Sequence, residues 1–315
     1  MMKKLTTLIS AVILTLGLAS TSLAAYPDKT ITLIVPFGPG GTTDVPARLL
    51  ASMMEKKFGK SIVVKNVAGA GGTIGVAEMA AAAPDGYTLG YVPTGTMCLQ
   101  PHVQKLPYGR DSFDFLGLVM RQPVTVMSSK MVPWKNFQEM IDIVKKEPNK
   151  YVVGITSIGN MTHVPMASLA NHYGLKFRYI PYRSSPEVMK DMITGRVHLH
   201  GDSPVSLSQF DIVGLAQFSE ERIPNLKDIP TTKELGFDKI YSHWQGLVAP
   251  KGLPADVLKI LGDTVQEIVT SPEFAKEAAK MSTNAFWMSP KDFQALFEKD
   301  FDMYGAEIKE LMPKK

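Results

Sequence analysis

From residue 31 onward, short apolar runs bounded by Gly and Pro alternate with stretches whose apolar residues recur every three or four positions. Ile31-Thr32-Leu33-Ile34-Val35 is a β-branched run stopped by Pro36, after which Val45, Leu49, Leu50 and Met53 fall at helical spacing. Ser61 to Val64 repeats the strand signal, Gly69-Ala70-Gly71-Gly72 breaks it, and Ile74 to Ala83 predicts an Ala-rich helix. Pro84-Asp85-Gly86 turns the chain into another strand, Tyr87 to Val92. Strand–loop–helix units in this order predict α/β structure with a largely parallel sheet.

A second series begins near Val124. Val124 to Ser128, Tyr151 to Thr156, Phe177 to Ile180, Val197 to His200 and Ile212 to Ala216 read as strands. Phe137 to Lys146, a segment running to about Tyr173, and Pro186 to Ile193 read as helices between them. Pro254 to Met281 and Pro290 to Leu311 are helical by pattern, too poor in strands to stand alone, and are expected to pack back on the first series.

The first residues have another character. Lys3 and Lys4 precede an uncharged apolar run, Leu5 to Leu18, and Ser22-Leu23-Ala24 offers small residues for cleavage. That layout predicts a secretory signal peptide over 1–24, hence an exported, periplasmic protein. No stretch reaches the roughly 18 apolar residues of a membrane span, so no direct membrane insertion is expected. The single cysteine, Cys98, excludes an intrachain disulfide framework and any zinc site built on several thiolates. The formal charge is only +4, and loss of Lys3 and Lys4 would lower it further. So small an excess argues against a nucleic-acid binder. At 315 residues the chain is long enough that two lobes are expected.

The loop Pro36-Phe37-Gly38-Pro39-Gly40-Gly41-Thr42-Thr43-Asp44 follows a strand and opens a helix, with Pro46 in the first turn. Thr43 or Asp44 suits the N-cap. Glycines clear side chains from the path, so backbone N–H groups beside the positive end of the helix dipole suit a carboxylate or phosphate. The same residues also describe a tight strand–helix turn with no ligand. The second series repeats the arrangement: Tyr151 to Thr156 runs into Ser157-Ile158-Gly159-Asn160-Met161-Thr162-His163, with Thr162 as cap and Pro165 early in the helix. Two such loops, one per lobe, would grip a small anion across a cleft. Arg183, at another strand end, is placed either to pair a ligand carboxylate or to lie solvated on the surface. Tyr182 and Trp244 are candidate ligand walls or packing residues.

Enzyme signatures are sparse. The first glycine loop lacks the third glycine of a dinucleotide fingerprint, and no nucleophile elbow is present. His198, His200 and Asp202 share one face of a strand, so a secreted metal-dependent hydrolase is the competing class. A ligand-binding module serving a sensor is a third reading.

Several blocks in order resemble the periplasmic solute-binding receptors of tripartite tricarboxylate transporters. These are Phe37, Gly40, Gly41, Asp44, Ala47 and Arg48; Gly69-Ala70-Gly71-Gly72 with Ile74-Gly75; and Ala83-Pro84-Asp85-Gly86-Tyr87-Thr88-Leu89. Leu106-Pro107-Tyr108, Pro181-Tyr182, Pro230-Thr231 with Glu234 and Gly236, and Gly246-Leu247-Val248-Ala249-Pro250 follow. The resemblance implies a two-lobed α/β fold of the type II periplasmic-binding-protein kind, with lobes at 25–124 plus 240–315 and at 125–239. It implies capture of a small organic carboxylate and its delivery to one large and one small integral-membrane permease subunit, without catalysis, metal or cofactor. It places Phe37, Gly40, Gly41, Thr42, Thr43, Asp44, Thr94, Gly95 and Thr96 at the ligand from one lobe. Ser157, Asn160, Thr162, His163, Tyr182, Arg183 and Asp202 face them from the other. A monomer is expected. His198 and His200 depart from the family pattern, and Gly201 to Ser206 is about one residue short of it.

Overall fold

The computed structural model describes residues 26–312, so the expected signal segment lies outside the described residues. β1 (Ile31–Val35) is apolar at nearly every position because both its faces are covered; Ile31, Leu33, Ile34 and Val35 are all buried. It pairs in parallel with β2 (Ile62–Asn66) and β3 (Thr88–Pro93), setting Ile31 beside Ile62 and Leu33 beside Leu89. Helix α1 (Asp44–Phe58) connects β1 to β2 and buries Ala47, Leu50, Ala51 and Met54. It stops at Gly59, whose left-handed backbone lets its N–H reach the Glu55 carbonyl at 2.9 Å. α2 (Thr73–Ala80) connects β2 to β3, and a π-turn, Gly95–Leu99, leads from β3 into α3 (Gln100–Val103).

Three strands absent from the periodicity reading complete this sheet: β4 (Phe113–Pro123), β10 (Ser242–Pro250) and β11 (Ala285–Met288), in the order β11-β4-β10-β3-β1-β2. β10 is antiparallel to β3 and β4, and β11 to β4, so the sheet is mixed rather than largely parallel. Gly117 interrupts the apolar run of β4. Its φ is +146°, and a Cβ there would lie 2.3 Å from the Trp287 ring.

The second sheet holds β5 (Thr125–Ser128), β6 (Val152–Ile155), β7 (Arg178–Pro181), β8 (Leu199–Asp202) and β9 (Val213–Gln217), ordered β7-β6-β8-β5-β9. β6 is parallel to β7 and β8, whereas β5 is antiparallel to β8 and β9. Between them run α4 (Phe137–Lys146), α5 (Val164–Tyr173), α6 (Ser185–Ile193) and α7 (Val205–Gln209). α4 starts where Asn136 accepts the Glu139 N–H at 2.9 Å, the side-chain cap that its sequence offers.

Only Val124 separates β4 from β5, so one strand line passes directly from sheet to sheet. The Val124 N–H donates to the Tyr241 carbonyl at 2.9 Å, and its carbonyl accepts from the Phe218 N–H at 2.8 Å, which stitches the outward and return passages together. α8 (Ala255–Val269) and α9 (Pro272–Lys280) join α1 on one face of the first sheet. α10 (Pro290–Leu311) and α2 cover the other face, in an apolar cluster that continues into the second lobe. Among the described residues no helix is long and apolar enough to cross a membrane.

Candidate functional site

The loop between β1 and α1 is held from behind. Asp44, 1 % exposed, accepts through Oδ2 from the Gly40 N–H and from Arg48 Nε, both at 2.8 Å. Its Oδ1 accepts from Asn66 Nδ2 at 2.7 Å, and that same nitrogen donates to the Phe37 carbonyl at 2.9 Å. Asp44 is therefore the first helical residue with its carboxylate turned back on the loop, and Thr43 at the N-cap makes no side-chain cap bond, contrary to the capping expectation for both.

The carbonyls of the next three residues are all engaged. Gly41 accepts from the Val45 N–H at 3.1 Å, Thr42 from Gln245 Nε2 at 2.9 Å, and Thr43 from the Ala47 N–H at 3.3 Å. What this triplet has left to offer is its N–H groups and the Thr43 hydroxyl, at the positive end of a 15-residue helix. Such an end stabilises an anion without a cationic side chain.

The facing loop connects β6 to α5. Thr162 Oγ1 accepts from the Thr156 N–H at 2.8 Å and pairs with the Thr156 hydroxyl at 2.9 Å, folding the loop on itself. The N-cap position belongs to His163, with no side-chain cap bond, so Thr162 does not cap this helix. His163 Nδ1 instead accepts the Gly159 N–H at 3.0 Å, and burial pushes its imidazole down to about 4, leaving it a neutral acceptor. Asn160 reaches across to the first lobe, where Nδ2 donates to the Gly71 carbonyl at 3.2 Å.

Between the loops lies a cavity of about 20 Å³. The first lobe lines it with Phe37, Gly41, Thr42, Thr43, Pro93 and His243; the second contributes Thr156, Asn160, Met161, Thr162, Ser185 and Asp202. It is narrow, with room for about one water molecule. No Lys or Arg is among the lining residues. Asp202 Oδ2 accepts from Thr42 Oγ1 at 3.1 Å and from Ser185 Oγ at 2.5 Å, one donor from each lobe, while Oδ1 accepts the Ser203 N–H at 2.7 Å. Burial alone would raise the Asp202 carboxyl; the His200 imidazole, His243 and the Ser185 hydroxyl outweigh it and hold the group below the usual carboxylate range.

Of the residues singled out from sequence, Phe37, Gly41, Thr42, Thr43, Asn160, Thr162 and Asp202 meet at this cavity. Gly40, Asp44 and His163 stand behind it as supports of the two loops. Thr94, Gly95 and Thr96 serve the junction instead. Thr94 Oγ1 is bonded to both the N–H and the carbonyl of Trp244, Thr96 Oγ1 donates to Gly71, and Gly95 lies against Asn160. Ser157, Tyr182 and the exposed Arg183 line an adjoining, open groove with Gly69, Ala70 and Gly71, which shares Thr156 with the cavity. Trp244 is fully buried, donating to Asp300 at 2.8 Å and packed edge-on to Phe293, so it is a core residue and not a wall.

Pro93, Thr156, Met161, Ser185 and His243 were not anticipated. Strand alternation would have flagged His243 only once β10 was known to be a strand. The metal triad does not assemble: His198 Nδ1 accepts the Val152 N–H at 3.0 Å and its ring packs on Tyr151, while His200 is bonded to the Gly154 carbonyl at 2.8 Å. Among the described residues no group of three metal-ligating side chains occurs.

Residues 46–312 match the model of the tripartite tricarboxylate transporter family receptor. The chain is 31% identical over 267 residues to a UPF0065 protein from the TAR-I ttuE-ttuC' intergenic region of Agrobacterium vitis, covering 82% of this chain and 77% of that one. Its fold superimposes on that of the periplasmic binding protein BugD with a TM-score of 0.85 at 30% identity, covering 91% of this chain and 98% of BugD. R. palustris Rpa4515 with adipate gives a TM-score of 0.87 at 26% identity, over 91% and 98% of the two chains.

Proposed function

The chain belongs to the tripartite tricarboxylate transporter receptor family, and we propose that it captures a small organic carboxylate between its lobes and delivers it to a permease pair of one large and one small multi-span subunit. The family is one of periplasmic solute-binding receptors, and its Rpa4515 relative has been solved with adipate. The observation that carries the reading is the Gly41–Thr43 turn, whose three carbonyls are all engaged and whose amides are left at a helix N-terminus facing a second lobe.

Capture and closure are one equilibrium. A carboxylate on the first-lobe amides gains partners at Thr156, Asn160 and Ser185 only when the second lobe is against it, and that difference in contacts drives closing. Fixed amides replace water around the anion without introducing a buried cation. The chain acts in the periplasm after export, as a monomer, with lobes at 25–124 plus 240–315 and at 125–239. Calorimetric titration of ligand-stripped protein against mono-, di- and tricarboxylates, aromatic acids and amino acids tests the reading. Saturable one-to-one binding of an acid supports it, and silence across the panel from folded protein overturns it.

A further inference from the structure

Asp202 sets a problem for a site read as holding an anion. Its carboxylate is buried at the wall of the inter-lobe cavity, where it accepts from Thr42, Ser185 and Ser203. A bare negative charge at that place would repel an arriving carboxylate. Two residues back, on the same face of β8, stands His200, fully buried, with an acceptor at each of its ring nitrogens. Nδ1 is 2.8 Å from the Gly154 carbonyl and Nε2 is 3.4 Å from Asp202 Oδ2. A carbonyl can only accept, so Nδ1 carries a hydrogen. In a neutral ring Nε2 would then turn a lone pair toward a carboxylate oxygen. Both contacts are favourable only in the imidazolium.

The other surroundings supply no competing charge. His200 pairs across to Met127 on β5 and Gly154 on β6, Asp202 to Thr125 on β5, and His243 to Gln122 on β4. The buried residues of α5 and α6 include no ionisable side chain, and His163 at the start of α5 is neutral. His243 on β10 also acts on Asp202, but burial pushes its imidazole down against that carboxylate's pull. We infer that His200 is an imidazolium that neutralises Asp202 from behind, and that through this buried charge the cavity accepts a carboxylate at neutral pH. The inference rests on the carboxylate reading of the site. His200 does not line the cavity; it is a positioning residue that acts through Asp202. When rising pH removes its proton, Asp202 stands uncompensated and the affinity for an anion falls, so binding at such pH takes a proton up.

Calorimetry with acetate, lactate, succinate, adipate, citrate and benzoate, on protein stripped of ligand by unfolding and refolding, selects the tightest-binding acid as the probe. Nitrogen-15 NMR of histidine-labelled protein, with the His200 signals assigned by their loss in His200→Leu, is expected to show both ring nitrogens protonated at pH 7. His200→Leu removes the cation and is expected to weaken the probe at least about tenfold at pH 7. Adding Asp202→Asn to the same chain removes the stranded charge and is expected to recover at least about threefold, which a purely structural defect would not do. Between pH 7 and 9.5 the wild-type affinity is expected to fall in step with loss of the His200 proton, while that of His200→Leu stays within about twofold. If circular dichroism shows His200→Leu unfolded, His200→Gln, equally uncharged, replaces it, and the wild-type spectra and pH profile stand without either. An Nε2 lacking hydrogen at pH 7, an affinity unchanged in the uncharged variant, or no recovery with Asp202→Asn overturns the inference and leaves the carboxylate reading standing. So does an affinity that changes without the His200 proton, or a proton lost without effect on affinity. Absence of binding by every acid from folded wild type overturns the carboxylate reading and the inference with it.

Discussion

Substituting Asp44→Asn removes one charge and almost no volume, which isolates what the carboxylate does for the glycine loop. Its three partners, the Gly40 N–H, Arg48 Nε and Asn66 Nδ2, are all donors, at 2.8, 2.8 and 2.7 Å. Two of them share Oδ2, so the introduced NH₂ group falls on the other side and meets the Asn66 amide nitrogen. Flipping Asn66 gives no relief, because its Nδ2 also donates to the Phe37 carbonyl at 2.9 Å and its Oδ1 accepts from Arg48 at 2.8 Å. One charge-assisted bond lost (about 1.5–3 kcal/mol) and one buried donor left facing another (about 1–3 kcal/mol) give an expected loss of about 3–5 kcal/mol. Arg48→Met is the control. That side chain is 49 % exposed, and ion pairs of such exposure contribute about 0–1 kcal/mol. Urea unfolding at pH 7 measures both losses, and calorimetry measures the affinity for whichever carboxylate the wild type binds, expected to fall about tenfold or more in Asp44→Asn. The reasoning fails if Asp44→Asn matches wild type within about 1 kcal/mol and twofold in Kd, or if Arg48→Met costs as much.

Three further outcomes follow from the same packing. A Cβ on Gly95 would lie 1.6 Å from Asn160 Oδ1 across the lobes; Gly95→Ala is therefore expected to weaken ligand binding at least tenfold and to raise the radius of gyration in small-angle scattering, with circular dichroism unchanged. His163 is held neutral, its folded value near 4 against an ordinary 6.5. As pH falls from 6.5 toward 4 the unfolded state takes up a proton that the native state refuses, so this group costs up to about 3 kcal/mol of stability. Burial depresses His243, His198 and His102 in the same direction, and urea midpoints that stay flat between pH 7 and 4.5 would contradict the sign. Cys98 is fully buried, with its thiol pushed up by that burial; it is expected to react with an aromatic disulfide reagent only after denaturant opens the first lobe, and stoichiometric reaction in native buffer would refute its placement.

Much of the architecture could be read from residue order because buried parallel strands are written as apolar runs, β1 and β6 being clear cases. The long strands of the crossing were invisible for the opposite reason. β4 carries Asp114, Gly117 and Arg121, and β10 carries Ser242, His243, Gln245 and Gly246, so neither shows a simple period. Their irregularity reflects register shifts in the β4–β10 pairing and the close approach of Trp287 and Phe293 to the two glycines. The loop of Phe37 to Thr43 was legible as a donor site because glycine and helix start are local signals. Ser185 and His243 were not, since they reach the cavity only through pairings between segments far apart in sequence. Asp44 illustrates a middle case. Its place in the motif was visible, but whether it faced the ligand or the loop depended on Asn66, 22 residues away.

The single-residue seam at Val124 also sets how far each part of the inter-lobe contact would travel if the lobes parted. With so little chain between β4 and β5, and hydrogen bonds to Tyr241 and Phe218 on both sides of it, any rotation of one sheet against the other would turn about this point. Displacement then grows with distance from the pivot. His243 and Gln122 sit close to it, whereas Gly38 and Ser184, which approach each other, follow strands three places out from β4 and β5 in their sheets. A rotation about the seam would therefore part Gly38 from Ser184 much further than it would move His243 and Gln122.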